Sequence, residues 1–167
     1  MNAYDKILIV DDDDSLRESM VSILESEGYI LDVAKSGQEA ETKIKNNVYN
    51  LVLLDIRLPD INGIELLAKI NKYSPKVKKI MLTGFPDTNS AIKSVNEKAD
   101  AYLVKPFDPE KLLEIIAENL DQQKEELRYT QEKVLEYIQN RVRELDQQPT
   151  MRTRDRKSTR LNSSHYS

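Results

Sequence analysis

Five times in the first 120 residues of this 167-residue chain, a short apolar run gives way to a segment of helical spacing. The runs are Lys6–Val10, Tyr29–Ala34, Asn50–Leu54, Val77–Leu82 and Ala101–Val104, each bounded by turn-forming or charged residues, and they predict strands. Between them, apolar side chains recur three or four residues apart: Leu16, Met20, Ile23 and Leu24 before Gly28; Ala40 and Ile44; Ile64, Leu67, Ala68 and Ile70; Ala91, Ile92 and Val95. Such alternation predicts a parallel sheet with helices on its faces. The first, third and fifth runs are apolar on both faces, as expected of strands covered on each side. Right-handed crossovers leave few topologies for five such units. The expected fold is α/β, a flavodoxin-like doubly wound five-stranded parallel sheet in the order 2-1-3-4-5, with a crevice beyond the carboxyl ends of strands 1 and 3.

The last helical segment differs from the others. Asp108-Pro109-Glu110 reads as cap, first-turn proline and first-turn acid, and no Gly or Pro follows until Pro149. Continuous to Asp146, this helix would be roughly 57 Å long, more than the domain needs. Leu113, Ile116, Leu120 and Leu127 follow one 3-4 pattern, with Gln123 as a polar interruption, and Leu135, Ile138, Val142 and Leu145 follow another, offset by one residue. The offset reads as a stutter in a short coiled coil or as two packing faces on one helix. The alternative is an amphipathic helix folded back on its own domain. The expected organisation is a domain at 3–120, a helical extension at 121–148 with a coiled coil able to pair two copies, and a tail at 149–167. From Arg152 to Ser167 the tail carries five basic residues, one acid and almost nothing apolar, which predicts disorder. Residues 155–165 resemble a translated sequencing adapter, so the tail carries no functional argument.

Composition narrows the chemistry. There is no Cys, and the only His is His165 in the tail, so acid–base work must fall to Asp, Glu, Lys or Tyr. With 25 basic against 29 acidic residues, no net positive charge argues for nucleic-acid binding. The longest purely apolar stretches are Ile7–Val10 and Leu51–Leu54, far short of a membrane span, which predicts a cytoplasmic protein with no membrane partner.

Four features fall at the carboxyl ends of the predicted strands: Asp11-Asp12-Asp13-Asp14 after the first, Asp55 after the third, Thr83-Gly84 after the fourth and Lys105-Pro106 after the fifth. Taken singly, each has an ordinary explanation as a helix cap, a turn or a solvated loop lysine. A parallel sheet, however, brings all four to one edge. Two carboxylates about 5 Å apart repel by roughly 3 kcal/mol at an effective dielectric near 20. A protonated member, Lys105 or a hard divalent cation would offset that, and an all-oxygen site suits Mg²⁺. Carboxylate, hydroxyl, ammonium and metal in one crevice fit phosphoryl transfer to a carboxylate oxygen.

Lys6-Ile-Leu-Ile-Val-Asp-Asp12, Leu53-Leu-Asp-Ile-Arg-Leu-Pro-Asp-Ile-Asn-Gly63, Met81-Leu-Thr-Gly84 and Ala101-Tyr-Leu-Val-Lys-Pro-Phe107, in this order and spacing, resemble the receiver domain of two-component response regulators. The resemblance covers about residues 3 to 120. It implies that Asp55 accepts phosphate from the phosphohistidine of a partner histidine kinase. It further implies that Asp11, Asp12, Asp55 and the backbone carbonyl of Arg57 hold Mg²⁺, that Thr83 and Lys105 contact phosphoryl oxygens, and that the Lys105–Pro106 bond is cis. Tyr102 matches the switch aromatic, which would pass the signal to strands 4 and 5 and the long C-terminal helix. By the same analogy, bulky Arg57 and Phe85 border the phosphoryl site and would slow hydrolysis. The chain would then not be an enzyme beyond its own phosphorylation and dephosphorylation.

Two other readings compete. In a haloacid-dehalogenase-type phosphatase, Asp11 would be the nucleophile and Asp13 the general acid, but no later acidic pair completes the metal site and Asp55 has no role. In a degenerate receiver, the coiled coil alone would act as an interaction module, against which stand the intact Asp11, Asp12, Asp55, Thr83 and Lys105.

Overall fold

Alternating apolar runs do give a parallel sheet. The computed structural model describes residues 5–84 and 99–147. Strands β1 (Lys6–Val10), β2 (Ile30–Ala34), β3 (Leu51–Asp55), β4 (Lys78–Thr83) and β5 (Ala101–Val104) pair in parallel in the order β2-β1-β3-β4-β5, the expected flavodoxin-like arrangement. The described helices are α1 (Asp14–Ser26), α2 (Gly37–Asn46), α3 (Gly63–Tyr73) and α4 (Pro109–Asp146). The helix expected around Ala91–Val95, together with Phe85 and the tail containing His165, lies outside the described residues.

Period-two alternation along β1 and β3 sends successive side chains to opposite faces and builds two cores. Leu8, Val10, Val52 and Leu54 pack with Ala40, Ile44, Leu66, Leu67 and Ile70 of α2 and α3. Ile7, Ile9, Leu51 and Leu53 pack with Met20 and Leu24 of α1 and with Leu112, Ile116 and Leu120 of α4. The expectation that the fifth strand is covered on both faces does not hold. Every residue of β4 is buried, whereas in β5 only Leu103 is, and Tyr102 is 39% exposed. The order of the strands explains this, because β4 lies between β3 and β5 while β5 ends the sheet.

Side-chain caps start the first three helices and fix where the strand-to-helix loops end: Asp13 accepts from the Leu16 amide, Ser36 from Glu39 and Asn62 from Ile64. Gly28, at φ 91°, supplies the left-handed residue that stops α1.

The chain divides into two units, Met1–Lys124 and Glu125–Ser167. Within the first, α4 buries Leu112, Ile116, Asn119, Leu120 and Gln123. The face turned to the core therefore starts at Leu112 rather than Leu113, which is only partly buried. Gln123 is an anchor, and the polar interruption expected there is instead a buried bracket: its Nε2 donates to the carbonyls of Asn50 at 2.8 Å and Lys76 at 2.9 Å. The described part of the second unit is helix with all its side chains exposed. Among the described residues, no helix is long and apolar enough to cross a membrane.

Candidate functional site

Chain reversal at the end of β1 sorts the four consecutive aspartates into different environments. Asp11 is fully buried, and its carboxylate is held from two sides: Oδ1 accepts the Asp13 amide at 2.9 Å and Oδ2 accepts Lys105 Nζ at 3.1 Å. Asp12 is exposed but lies on the same cluster. Asp13 caps α1, so here the ordinary explanation is the right one. Asp14 pairs on the surface with Arg17, and that guanidinium holds its carboxyl below the usual carboxylate range.

Asp55 closes β3 at 7% exposure. Its Oδ1 accepts the Arg57 amide at 3.2 Å and its Oδ2 accepts Lys105 Nζ at 3.0 Å. Burial pushes the Asp55 carboxyl up, the Lys105 ammonium pulls it back, and the nearby Asp11 charge adds to the rise. Burial by itself would lower Lys105, but its bonds to Asp55 and Asp11 outweigh this and hold the amine above its ordinary value. Lys105 is therefore a standing counter-ion to two buried carboxylates, which is the offset that the acid cluster requires. The Lys105–Pro106 peptide is cis.

Thr83 ends β4, and its carbonyl accepts the Lys105 amide at 2.7 Å, so the hydroxyl-bearing and amine-bearing strand ends are tied together. Asp12, Asp55, Arg57, Thr83, Gly84 and Lys105 line a cavity of about 510 Å³. The sheet thus gathers Asp11, Asp12, Asp55, Thr83 and Lys105 at its carboxyl edge. Tyr102 stands apart on β5, paired in register with Met81. Phe85 is outside the described residues, and Arg57 is exposed at the cavity rim.

The residues fit a hard divalent cation. One carboxylate oxygen from each of Asp11, Asp12 and Asp55 lies within 4.8 Å of the others, and the donor set is all oxygen with no Cys or His. The phosphatase alternative loses support from the same geometry. Asp13, its general acid, is committed to the α1 amide, while Asp55, to which it gave no role, sits at the centre.

Three supports were not read from the sequence. Buried Arg17 donates to the Asp11 carbonyl at 2.8 Å, and its place three and seven residues before Met20 and Leu24 on α1 was the available signal. Asp60 accepts the Gly37 and Gln38 amides at 2.8 and 2.9 Å and fastens the loop after Asp55 to the start of α2. Gly63 lies so close to β3 that a Cβ would come within 2.2 Å of the Asp55 carbonyl oxygen, and the glycine ending the Leu53–Gly63 motif was the available signal there.

Comparison with known proteins agrees with this geometry. A family model described as "Response regulator receiver domain" matches residues 7–117. The chain is similar to response regulator ArlR of Staphylococcus saprophyticus, 39% identical over 108 residues, covering 65% of this chain and 49% of that protein. It is also similar to the DNA-binding response regulator MtrA of Mycolicibacterium smegmatis, 35% identical over 121 residues, covering 72% of this chain and 53% of that protein. It therefore spans about half the length of these relatives. A CheY-like receiver domain protein from Methanospirillum hungatei JF-1 superposes with a TM-score of 0.70 at 47% identity, covering 74% of this chain and 98% of that one. Matched through its fold, its site and more than half of its length, this chain belongs to the response regulator receiver family.

Proposed function

We propose that Asp55 takes a phosphoryl group from the phosphohistidine of a partner histidine kinase. An Asp55 carboxylate oxygen forms the new P–O bond as the P–N bond breaks, and the imidazole leaves with the bonding electrons. Asp11, Asp12, Asp55 and the Arg57 carbonyl would hold Mg²⁺, which supplies charge neutralisation of the incoming group. Thr83 donates its hydroxyl to one phosphoryl oxygen and Lys105 its ammonium to another. The observation that carries this reading is Lys105 Nζ placed 3.0 and 3.1 Å from two carboxylates beside an open cavity. An ammonium there offsets the acids before phosphorylation and, afterwards, the acyl phosphate, whose charge of about −1.5 to −2 replaces the carboxylate's single one.

The chain then acts on no separate substrate and only gains and loses its own acyl phosphate. Output runs through Tyr102, the β4–β5 side of the sheet and α4, in a cytoplasmic setting, and the partner at the end of α4 is a second copy of the chain. Bulky Arg57 and Phe85 restrict the hydrolytic water. The expected result with acetyl phosphate and Mg²⁺ is a mass gain of one phosphoryl group, lost in Asp55→Asn. An unchanged mass, or equal labelling of Asp55→Asn, would reject the reading. Dephosphorylation no slower in wild type than in Arg57→Ala with Phe85→Ala would reject the role of the bulky pair alone.

A further inference from the structure

From Glu125 onward, α4 carries an apolar stripe with no partner among the described residues of its own unit. Leu127, Val134, Leu135, Ile138, Val142 and Leu145 are between 37% and 54% exposed. At about 3.6 residues per turn they fall, with Gln131, in one band roughly 100° wide. The other large exposed apolar residues of this segment, Tyr129 and Tyr137, lie off this band, and Lys133 of the same helix sets its Nζ 5.5 Å from the Tyr129 ring. Ion pairs Arg128–Glu125, Lys133–Glu136 and Arg141–Glu144 close along the same helix and leave the stripe open. In proteins, most of a helix's stability comes from packing its apolar face.

The stripe has a repeat. Leu127 recurs as Ile138, Gln131 as Val142 and Val134 as Leu145, each eleven residues on. This is the one-residue offset between frames seen in the sequence, and it places apolar residues near 3.67 per turn, close to the pitch of an undistorted helix. Two copies can then lie side by side with little supercoiling.

We propose that residues 127–145 form a parallel, in-register, two-stranded contact with a second copy of this chain, deepening the reading above that the partner of α4 is another copy. Two features choose the orientation. Gln131 is the single amide in the stripe. In parallel register it meets its own counterpart, and each amide can donate to and accept from the other. In an antiparallel pair centred on the stripe, it faces an apolar or charged residue and loses its hydrogen bonds. Arg141 and Asp146 flank opposite sides of the band, five residues apart, so a parallel pair sets Arg141 of each copy beside Asp146 of the other.

The full chain has no cysteine, so introduced thiols report on a single contact. Parallel register brings like positions within disulfide reach, with Cα atoms about 4.4–6.8 Å apart. Leu127→Cys and Leu145→Cys, each oxidised alone, are expected to give covalent dimers. Sedimentation equilibrium of the wild type is expected to give twice the chain mass of 19.3 kDa, and Ile138→Asp to return it to the single-chain value while still taking phosphate at Asp55. A wild-type mass of one chain, or of three or more, overturns the proposal together with its two-copy basis. A doubled mass with cross-links only in a mixture of Leu127→Cys and Leu145→Cys keeps the second copy and overturns the parallel order. Neither result bears on whether Asp55 is phosphorylated.

Discussion

Replacing Gln123 by leucine separates two accounts of α4 that predict opposite signs. If Gln123 only interrupts an apolar stripe, leucine completes it and stabilises the domain. In the structure Gln123 is 6% exposed, and its Nε2 bridges two main-chain carbonyls from different loops. The Asn50 carbonyl also accepts the Lys78 amide at 3.0 Å, so losing the glutamine costs it only one net bond, about 1 kcal/mol. Among the described residues the Lys76 carbonyl accepts from no other donor, and leaving it unpaired costs about 1–3 kcal/mol. Burying the leucine methyls returns about 1 kcal/mol. The expected net is a loss of about 1–3 kcal/mol for Gln123→Leu. Gln123→Ala forgoes that packing and should lose about 2–4 kcal/mol. Gln123→Glu turns a donor toward two carbonyls as a buried acceptor and should lose most. Urea titration of the three variants reads the order directly, and at roughly 3–6 °C per kcal/mol for a domain of this size thermal melts should agree. A Gln123→Leu protein as stable as wild type or more so would refute the bracket.

Burial alone would raise Asp32, but hydrogen bonds from Tyr49 at 2.6 Å and Lys43 outweigh it and hold the carboxyl below its ordinary 3.8. A depressed folded value contributes stability that is complete above 3.8 and lost as the pH falls through the folded value, so Asp32→Asn should melt with a flatter acid limb than wild type; parallel limbs would exclude the linkage. Gly63→Ala should lose about 3 kcal/mol or more and most phosphoacceptor activity, because the Asp55 main chain must shift to admit the methyl, and near-normal melting and labelling would contradict the close approach. Asp60→Ala removes the second cap on α2, and it should cost about 1 kcal/mol and raise the Mg²⁺ concentration for half-maximal phosphorylation, with Asp60→Asn intermediate in both; an unchanged Mg²⁺ dependence would show that the loop holds the Arg57 carbonyl without it.

The sheet was legible because strand order follows from alternation and crossover handedness, and convergence of Asp11, Asp55, Thr83 and Lys105 follows from strand order. What stayed hidden depends on where the chain turns. Nothing in four consecutive aspartates says that Asp11 is sealed beneath Lys105 while Asp13 caps α1, since only the end of β1 decides it. Arg17 and Gln123 have the polar chemistry of surface residues at positions on the inner faces of their helices, and each is buried because a main-chain carbonyl meets it there. The fully covered outer strand was misplaced for a similar reason. Apolar composition reports burial summed over both faces, but position in the sheet decides which strand has two neighbours.

The two sides of the site are held differently, and that difference gives a direction to any signal leaving it. Asp11 is fixed on the β1 side by bonds that need no phosphate: its amide to the Ala34 carbonyl at 3.1 Å, its carbonyl to Arg17 and its Oδ1 to the Asp13 amide. Lys105 has no such set. Its ammonium is shared between Asp11 and Asp55, and its amide ties it to the Thr83 carbonyl on the neighbouring strand. On the function proposed above, a phosphoryl group on Asp55 would compete for that ammonium and for the Thr83 hydroxyl together. Because these two residues end paired strands, a displacement would be carried along β4 and β5 as a unit, with the β1–β2 side pinned at Asp11. β5 is an outer strand and bears exposed Tyr102, so on that reading it would yield without opening the β1–β3 core.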